Sequence, residues 1–241
     1  MSIPTTSSVE RLSPQEIQDR LGVSPVAYLP MGSLEFHGPH LPIGLDALTA
    51  HGVCAGAADL TGGVVLPAVY QAVGGEHTAY PWTIMSSSPD AIATLLGETL
   101  ARLADFGVKR TVILSGHFAD GQRDLITRVA ERWSERATTM SVVARTLGQA
   151  PQPPVAPDHA GRFESLLLHA IDPALVHPEA LPDVTHHPAP LGEDPFGADR
   201  HRPEHPLHGV FGPDPRRLDR AAAAPLWEHL VGWVAGLATR D

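Results

Sequence analysis

The sequence predicts an α/β fold, a three-layer α/β/α arrangement with a mostly parallel central sheet. Two observations predict it. Short apolar runs typical of buried strands alternate with longer segments of helical periodicity. Candidate functional residues also fall just past the ends of these runs, where open parallel sheets bind their ligands. Because parallel strands need crossover connections, such an alternation builds a sheet with helices on both faces.

Four strands and six helices carry this pattern. Strands are expected at residues 26–30, 64–70, 111–114 and 141–144. Helices are expected at residues 13–21, 46–60, 89–106, 121–136, 161–171 and 217–237. The third helix is the best marked, because Ser88 is a good N-cap, leucines recur at helical spacing and Gly107 ends it.

A chain of 241 residues has enough length for one domain with one core. Residues 1–12 are expected to be a flexible N-terminal tail and residues 13–241 a single domain. Residues 182–215 are rich in proline and histidine and cannot be regular helix throughout. Two roles stay open for this loop, an active-site cover and a subunit contact. Its histidines are interpreted as solvated because their spacing is irregular: His186, His187, His201, His205 and His208.

Charge and cysteine content narrow the class of function. The chain has 27 acidic and 17 basic residues, a formal net charge of -10, which argues against nucleic acid or an anionic membrane as partner. Cys54 is the single cysteine, which excludes an internal disulfide, and its Ala-rich surroundings favour a buried, inert thiol. No signal peptide and no apolar run of ~20 residues are visible, so we expect a cytoplasmic protein.

The segment after the first strand carries the most informative side chains. Glu35 and His37 are two residues apart, and in an extended segment such residues point to the same side. Glycines and prolines then turn the chain, so that Asp46 can return to the same place. Carboxylates and imidazoles together are typical ligands of zinc, manganese or iron. On these residues alone, turn-capping carboxylates and a solvated histidine remain an alternative.

Four segments in order resemble the creatininase family of metal-dependent amidohydrolases. They read GSLEFHGPHLP from Gly32, GEHTAYPWTI from Gly75, LSGH up to His117 and HAGRFES from His159. Each motif alone is weak, whereas their order and spacing together are specific. The resemblance implies a creatininase-like metal hydrolase domain that assembles as a homo-oligomer, commonly a hexamer. It also implies two divalent metals per chain, zinc, manganese or iron.

The resemblance assigns roles to particular residues. Glu35 would bind one metal and His37 the other, with Asp46 bridging them and His117 completing the first site. The family's additional glutamate is absent, since Ala119 stands in its place, and Glu164 is the natural replacement. The resemblance further implies catalytic roles for His159 and Glu76, and substrate contacts for His77, Tyr80 and Ser115.

The implied reaction is hydrolysis of an amide or formamide C–N bond by a metal-activated water, with His159 protonating the leaving nitrogen. Family members act on creatinine, on formamides and on a peptide in mycofactocin maturation. The chain has no tryptophan between Trp133 and Trp227 for a lid over creatinine, which favours a formamide or a small peptide-like amide. Alternatives are a peptide-trimming peptidase, a non-catalytic ligand-binding paralog, which Ala119 favours, and a metal phosphoesterase, for which only Arg162 supplies an obvious positive charge.

Overall fold

The computed structural model describes residues 7–75, 80–86, 88–136 and 139–239. Over these residues it has a parallel sheet of four strands in the order β2-β1-β3-β4. The strands are β1 Val26–Met31, β2 Val64–Val65, β3 Arg110–Ser115 and β4 Ser141–Thr146. The helices are α1 Pro14–Val23, α2 Leu45–Thr61, α3 Pro89–Asp105, α4 Asp120–Ser134, α5 Arg162–Ile171 and α6 Ala223–Thr239.

Helices cover both faces of the sheet, which confirms the predicted three-layer α/β/α fold. Alternate residues of β1 point to opposite faces. On one face Tyr28 packs in a core shared with α2, α5 and α6. On the other face Leu29 packs in a core shared with α3 and α4. The apolar stripe of α6 is therefore used inside the chain, where Leu226, Leu230 and Val234 are fully buried.

The register of β1 against β3 brings two strand ends together. Met31, the last residue of β1, pairs with Ser115, the last residue of β3. The backbone N–H of Gly116 then donates to the carbonyl of Met31 at 2.9 Å. Segments that leave these two strands, one toward Glu35 and one toward His117, therefore begin side by side at the carboxyl edge of the sheet.

Helix starts follow the local signals in the sequence. Ser13 and Glu16 form a reciprocal capping box at the start of α1, and Pro14 takes the first helical position. The Ser88 hydroxyl accepts from the N–H of Ala91 at the start of α3. Observed bounds of the first five helices therefore lie within two residues of the predicted ones.

Three expectations about the fold were wrong in part. The strand predicted at 64–70 has a ladder only over Val64–Val65, because Pro67 lacks an N–H to continue it; a single bridge joins Val69 to Met31. The last helix begins at Ala223, after short 3₁₀ turns, instead of at residue 217. At the described end of the predicted tail, Ser8 is buried and pairs with Val65.

The proline- and histidine-rich loop 182–215 contains no α-helix and only the 3₁₀ turns Ala198–His201 and, at its end, Pro215–Arg217. Arg200 holds it together from inside. Its Nε donates to Glu193 Oε1 at 2.8 Å, and its Nη1 donates to the carbonyl of Val210 at 2.9 Å. Both side chains of this ion pair are buried. Among the described helices, none combines the length and apolar character needed to cross a membrane.

Candidate metal centre

The five predicted metal-binding side chains meet at the carboxyl edge of the sheet. They come from the turn after β1, the first turn of α2, the loop after β3 and the first turn of α5. All five are at most 5% exposed: Glu35, His37, Asp46, His117 and Glu164. Burying three carboxylates and two imidazoles costs hydration free energy, which opposite charges or hydrogen bonds must offset.

Two glycines let α2 approach both strand ends. A Cβ at Gly32 would collide with Asp46 and the N–H of Ala47, and a Cβ at Gly116 would collide with the backbone of Asp46. Any larger residue at either position would therefore push the start of α2 away. The glycines of the GS and SGH motifs thus place the Asp46 carboxylate between the two strand ends.

The first group of ligand atoms contains Glu35, Asp46 and His117. Nδ1 of His117 lies 2.9 Å from Glu35 Oε2 and 3.2 Å from Asp46 Oδ2. The Ser33 hydroxyl lies between the two carboxylates, 2.5 Å from Asp46 Oδ2 and 3.1 Å from Glu35 Oε2. These three side chains can hold a metal ion, since their ligand atoms lie within 4.8 Å of one another.

The second group contains His37, Asp46 and Glu164. Nε2 of His37 lies 3.2 Å from Asp46 Oδ1 and 3.5 Å from Glu164 Oε2. Its Nδ1 lies 2.9 Å from the carbonyl of Glu35, to which the Nδ1–H donates. Nε2 is fully buried and makes no well-formed hydrogen bond. This nitrogen is directed between two carboxylates and so has the orientation and surroundings of a metal ligand.

Glu164 reaches this group because the chain before α5 is unusual. Ala160 has a positive φ of 56°, rare for a residue with a side chain. Its N–H donates to Glu164 Oε2 at 2.5 Å, and its carbonyl lies 3.0 Å from Nε2 of His40. Asp158 accepts from the N–H of Phe163 at 3.0 Å and so caps the helix. The turn with a positive φ at Ala160 therefore orients Glu164 toward His37 and Asp46.

Neighbouring charges shift the pKa values of the buried histidine and carboxyl side chains in this cluster. Burial alone would lower the pKa of His37, but the charges of Glu164 and Asp46 outweigh it and raise the pKa to about 10. Burial would raise the pKa of Asp46, yet nearby His37 and His117 hold it well below its usual range. Burial and the negative charge of Asp46 raise the pKa of Glu164. A positive charge between these carboxylates is therefore strongly stabilised, as a divalent cation would be.

His159 lies against the second group. Its ring stacks on that of His37 with a centroid distance of 4.3 Å. Its Nε2 lies 3.1 Å from the carbonyl of Phe36, and its backbone pairs in both directions with Phe211. A ring nitrogen of His159 also lies within 4.8 Å of ligand atoms of Glu35 and His37. The ring is half-buried and lies next to the cluster.

The remaining predicted site residues are Glu76, His77, Tyr80 and Ser115. Glu76 and His77 lie outside the described residues. Tyr80 is near the site, with its ring stacked on Phe36 at 5.2 Å. The predicted substrate contact of Ser115 does not fit its placement, because this side chain is fully buried and its hydroxyl donates to the carbonyl of His117 at 2.7 Å. Ser115 therefore shapes the loop that presents His117.

Asp120 is excluded as a substitute ligand at the position after Ala119. Its side chain is 84% exposed and lies 3.0 Å from Nη1 of Arg123. The residues interpreted as solvated loop histidines need correction in part. His205 is buried against Glu193 at 3.0 Å, and His208 is half-buried among aromatic rings. His201 is exposed as predicted, although its ring contacts that of Tyr80. His186 remains exposed, beside Asp183.

Ser33 belongs to the site but is not among the site residues predicted from the sequence. The signal was present in the sequence, since Ser33 stands two residues before Glu35 in the same extended segment and therefore points to the same side. The aromatic rings from residues 201–211 gave no comparable signal, because they reach the site only through the folding of a long loop.

Comparisons with known proteins agree with this geometry. The Creatininase family (creatinine amidohydrolase) matches residues 10–238 of the chain. The mycofactocin precursor peptide peptidase of Mycolicibacterium smegmatis is 31% identical over 176 residues, 70% of this chain and 66% of the relative. The creatinine amidohydrolase of Pseudomonas putida is 34% identical over 103 residues, 39% of this chain and 37% of the relative. The matched stretches thus span less than two thirds of these curated relatives.

Solved structures share the fold over nearly the whole chain. Creatinine amidohydrolase (creatininase) superposes with a TM-score of 0.77 at 24% identity, covering 97% of this chain and 96% of that one. A manganese creatininase and a mutant creatininase of Zn-Zn type each give a TM-score of 0.75 at 22% identity, covering 96% and 97% of this chain and 97% of each of theirs. From the extent of the family match and the order of its motifs, the chain belongs to the creatininase family.

Proposed function

We propose that this chain is a metal-dependent hydrolase that cleaves the C–N bond of a small amide, formamide or peptide-like substrate. One observation carries the proposal. Nε2 of His37 is fully buried, lacks a well-formed hydrogen bond and faces the carboxylates of Asp46 and Glu164. Without a cation a proton would occupy this nitrogen, in keeping with the raised pKa of His37, and a divalent cation would replace that proton.

The donor set fits two divalent cations. One would be held by Glu35, His117 and one oxygen of Asp46, and the other by His37, Glu164 and the second oxygen of Asp46. Two imidazoles with three carboxylates suit zinc or manganese, and structures with the same fold include both forms. Ser33 would hold Asp46 and Glu35 in the orientation that ligation requires.

Bound cations supply Lewis acidity, polarising a substrate carbonyl and lowering the pKa of water from about 15.7 toward ~7. The protein contributes a dry, preorganised cluster and a proton carrier at its edge. His159 lies within reach of the cluster and would donate a ring proton to the leaving nitrogen, exchanging its contact with the carbonyl of Phe36 for the substrate. Cys54 takes no part, since it is fully buried and burial raises the pKa of its thiol.

Two features bear on the substrate. Matches of about 31% identity over 65–70% of this chain are to proteins named mycofactocin precursor peptide peptidase, which favours a peptide-like amide. The stretch between Trp133 and Trp227 holds no tryptophan, and Trp133 itself is buried with its Nε1 donating to the carbonyl of Met140 at 2.9 Å. Creatinine is accordingly the weaker candidate.

Chelation followed by reloading tests the function. Protein stripped with a chelator and reloaded with Mn²⁺ or Zn²⁺ is assayed for amine release from N-formylated amines and short peptides. We expect turnover only after reloading, and retention of that turnover in Asp120→Asn, which alters an exposed carboxylate near the site. Failure of the reloaded protein to hydrolyse any of these amides, together with failure to take up metal, would contradict the proposal.

A further inference from the structure

Five aromatic rings form a cluster beside the candidate metal centre, here called the ring cluster: Phe36, Tyr80, His201, His208 and Phe211. Phe36 and Tyr80 stack with centroids 5.2 Å apart and an interplanar angle of 28°. His208 stands edge-on to Tyr80, with centroids 5.0 Å apart. The Tyr80 hydroxyl and Nδ1 of His201 share a hydrogen bond of 2.8 Å. Residues from three distant parts of the chain therefore meet in one place.

The ring cluster is continuous with the metal centre. Phe36 stands between Glu35 and His37 in the chain, so one short segment presents two candidate ligands and, on its opposite side, one ring of the cluster. The carbonyl of Phe36 lies 3.1 Å from Nε2 of His159. The backbone of Phe211 pairs with that of His159 through hydrogen bonds of 2.8 and 2.9 Å. A substrate with its amide at the metals would thus extend along these rings.

The loop that carries His201, His208 and Phe211 is held in place by specific contacts. Gly209 has a φ of 74°, and a Cβ on it would meet the Phe36 ring at 2.5 Å, so the loop backbone lies directly against that ring. The N–H of Gly209 donates to the carbonyl of Arg200 at 2.9 Å. Arg200 is in turn held by the buried ion pair with Glu193. Three contacts therefore set the position of His208 relative to Phe36.

We propose that Phe36, Tyr80 and His208 form a subsite that receives a flat aromatic group of the substrate, next to the scissile amide. All three rings are only half-buried, so part of each remains open to a ligand. The hydrogen bond between Tyr80 and His201 positions the Tyr80 ring in this subsite. The subsite rests on the proposed function, because it names the substrate class of the same site.

The geometry favours a flat ring over an aliphatic group of equal size. Aromatic rings attract one another in offset-stacked and edge-to-face arrangements, beyond the burial of area. The proposed subsite offers both kinds of partner. Phe36 and Tyr80 form a stacked pair, and the His208 ring is inclined at 61° to the Tyr80 ring. A cyclohexyl group buries similar area but gains no ring–ring attraction. We expect a preference of about fivefold in affinity for the aromatic group.

Three hydroxamates test the subsite on metal-loaded protein by isothermal titration calorimetry. They share a metal-binding head and differ in the tail: acetohydroxamate, phenylacetohydroxamate and cyclohexylacetohydroxamate. We expect the phenyl compound to bind about fivefold more tightly than the cyclohexyl compound. Equal affinities, or binding of neither, would overturn the subsite. Binding of acetohydroxamate itself reports on the metal centre, so its absence would count against the proposed function separately.

Variants locate the preference on the ring cluster. Tyr80→Leu should abolish the phenyl preference, and His208→Leu should reduce it. Tyr70→Leu is the matched control, because Tyr70 is a partly exposed tyrosine outside the cluster and its loss should leave the preference intact. Tyr80→Phe keeps the ring but removes the bond to His201, so a partial loss is expected. A preference that survives both Tyr80→Leu and His208→Leu would contradict the proposal.

Discussion

Nε2 of His37 faces Oδ1 of Asp46 across 3.2 Å without a well-formed hydrogen bond between them. Both side chains are almost completely buried, and the second oxygen of Asp46 lies as close to Nδ1 of His117. One carboxylate therefore faces two groups of ligand atoms, one oxygen to each. This arrangement is the structural basis for proposing two cations bridged by Asp46.

Asp46→Asn should empty both metal sites while the protein stays folded. The substitution keeps the size of the side chain but removes the negative charge and one of the two acceptor oxygens. Elemental analysis of protein purified without chelator measures the effect, with the thermal unfolding temperature as a check of folding. Asp120→Asn, an exposed carboxylate that pairs with Arg123, should retain full metal content. Unchanged metal in Asp46→Asn would exclude the bridging role.

Ser33→Ala should weaken metal binding without removing a ligand. The hydroxyl of Ser33 contacts both Asp46 and Glu35, so its loss removes one orienting contact from each of two buried carboxylates. Outer-shell contacts of this kind are typically worth roughly 10–100-fold in metal affinity. Competition with a chromogenic chelator measures the dissociation constant, and Ser134→Ala on the far end of α4 serves as the control. Equal affinities for both variants would show that Ser33 does not orient the ligands.

His159→Gln should lower kcat by roughly 10²–10⁴-fold if its ring donates a proton to the leaving nitrogen. Glutamine can keep the hydrogen bond from this position to the carbonyl of Phe36, but its amide cannot act as an acid. Metal content and unfolding temperature should stay at the level of the unmodified protein. A variant with undiminished kcat would restrict His159 to packing against His37.

His40 should make the folded state less stable in acid. Burial lowers its pKa from 6.5 to about 4, despite the contact with the carbonyl of Ala160. Between these values the unfolded chain binds the proton and the folded chain does not, so stability falls as the pH drops from about 6.5 toward 4. The shift corresponds to about 3 kcal/mol once the pH is below 4.

The matched variant His40→Gln keeps a donor for the carbonyl of Ala160 but does not titrate. Urea unfolding of both proteins with excess chelator should show the unmodified protein losing stability relative to the variant over this pH range. Parallel curves for the two proteins would rule out His40 as the source.

Two glycine-to-alanine changes should have opposite signs. Gly209→Ala should destabilise the protein by roughly 1–3 kcal/mol, because φ is 74° and the new Cβ would meet the Phe36 ring. Gly97→Ala should stabilise it by about 1 kcal/mol, since Gly97 lies inside α3 with nothing within 4 Å of a new Cβ. Denaturant unfolding measures both, and a neutral Gly209→Ala would mean that the loop does not press on Phe36.

Local signals explain what the sequence predicted. The capping box of Ser13 and Glu16, the N-cap at Ser88 and the ligand motifs after β1 and β3 each depend on neighbours close in the chain. A local signal also accounts for the short β2. The apolar residues around Pro67 predict a longer strand, but Pro67 has no N–H to continue the ladder.

Long-range packing explains what the sequence did not predict. His201 and His208 are surrounded by prolines and have no periodicity, so nothing in their spacing indicates that they reach Tyr80. Their position depends on the buried pair of Arg200 with Glu193, which joins residues of one irregular loop. The expected homo-oligomer also stays a prediction, since it depends on surfaces between chains.

Anomalous diffraction from crystals of the protein loaded with zinc or manganese would locate the two proposed cations. We expect two anomalous peaks about 3.5–4 Å apart, one on each side of the Asp46 carboxylate, with Glu35 and His117 at one and His37 and Glu164 at the other. Peaks remote from these five side chains, or none under saturating metal, would contradict the proposed metal centre.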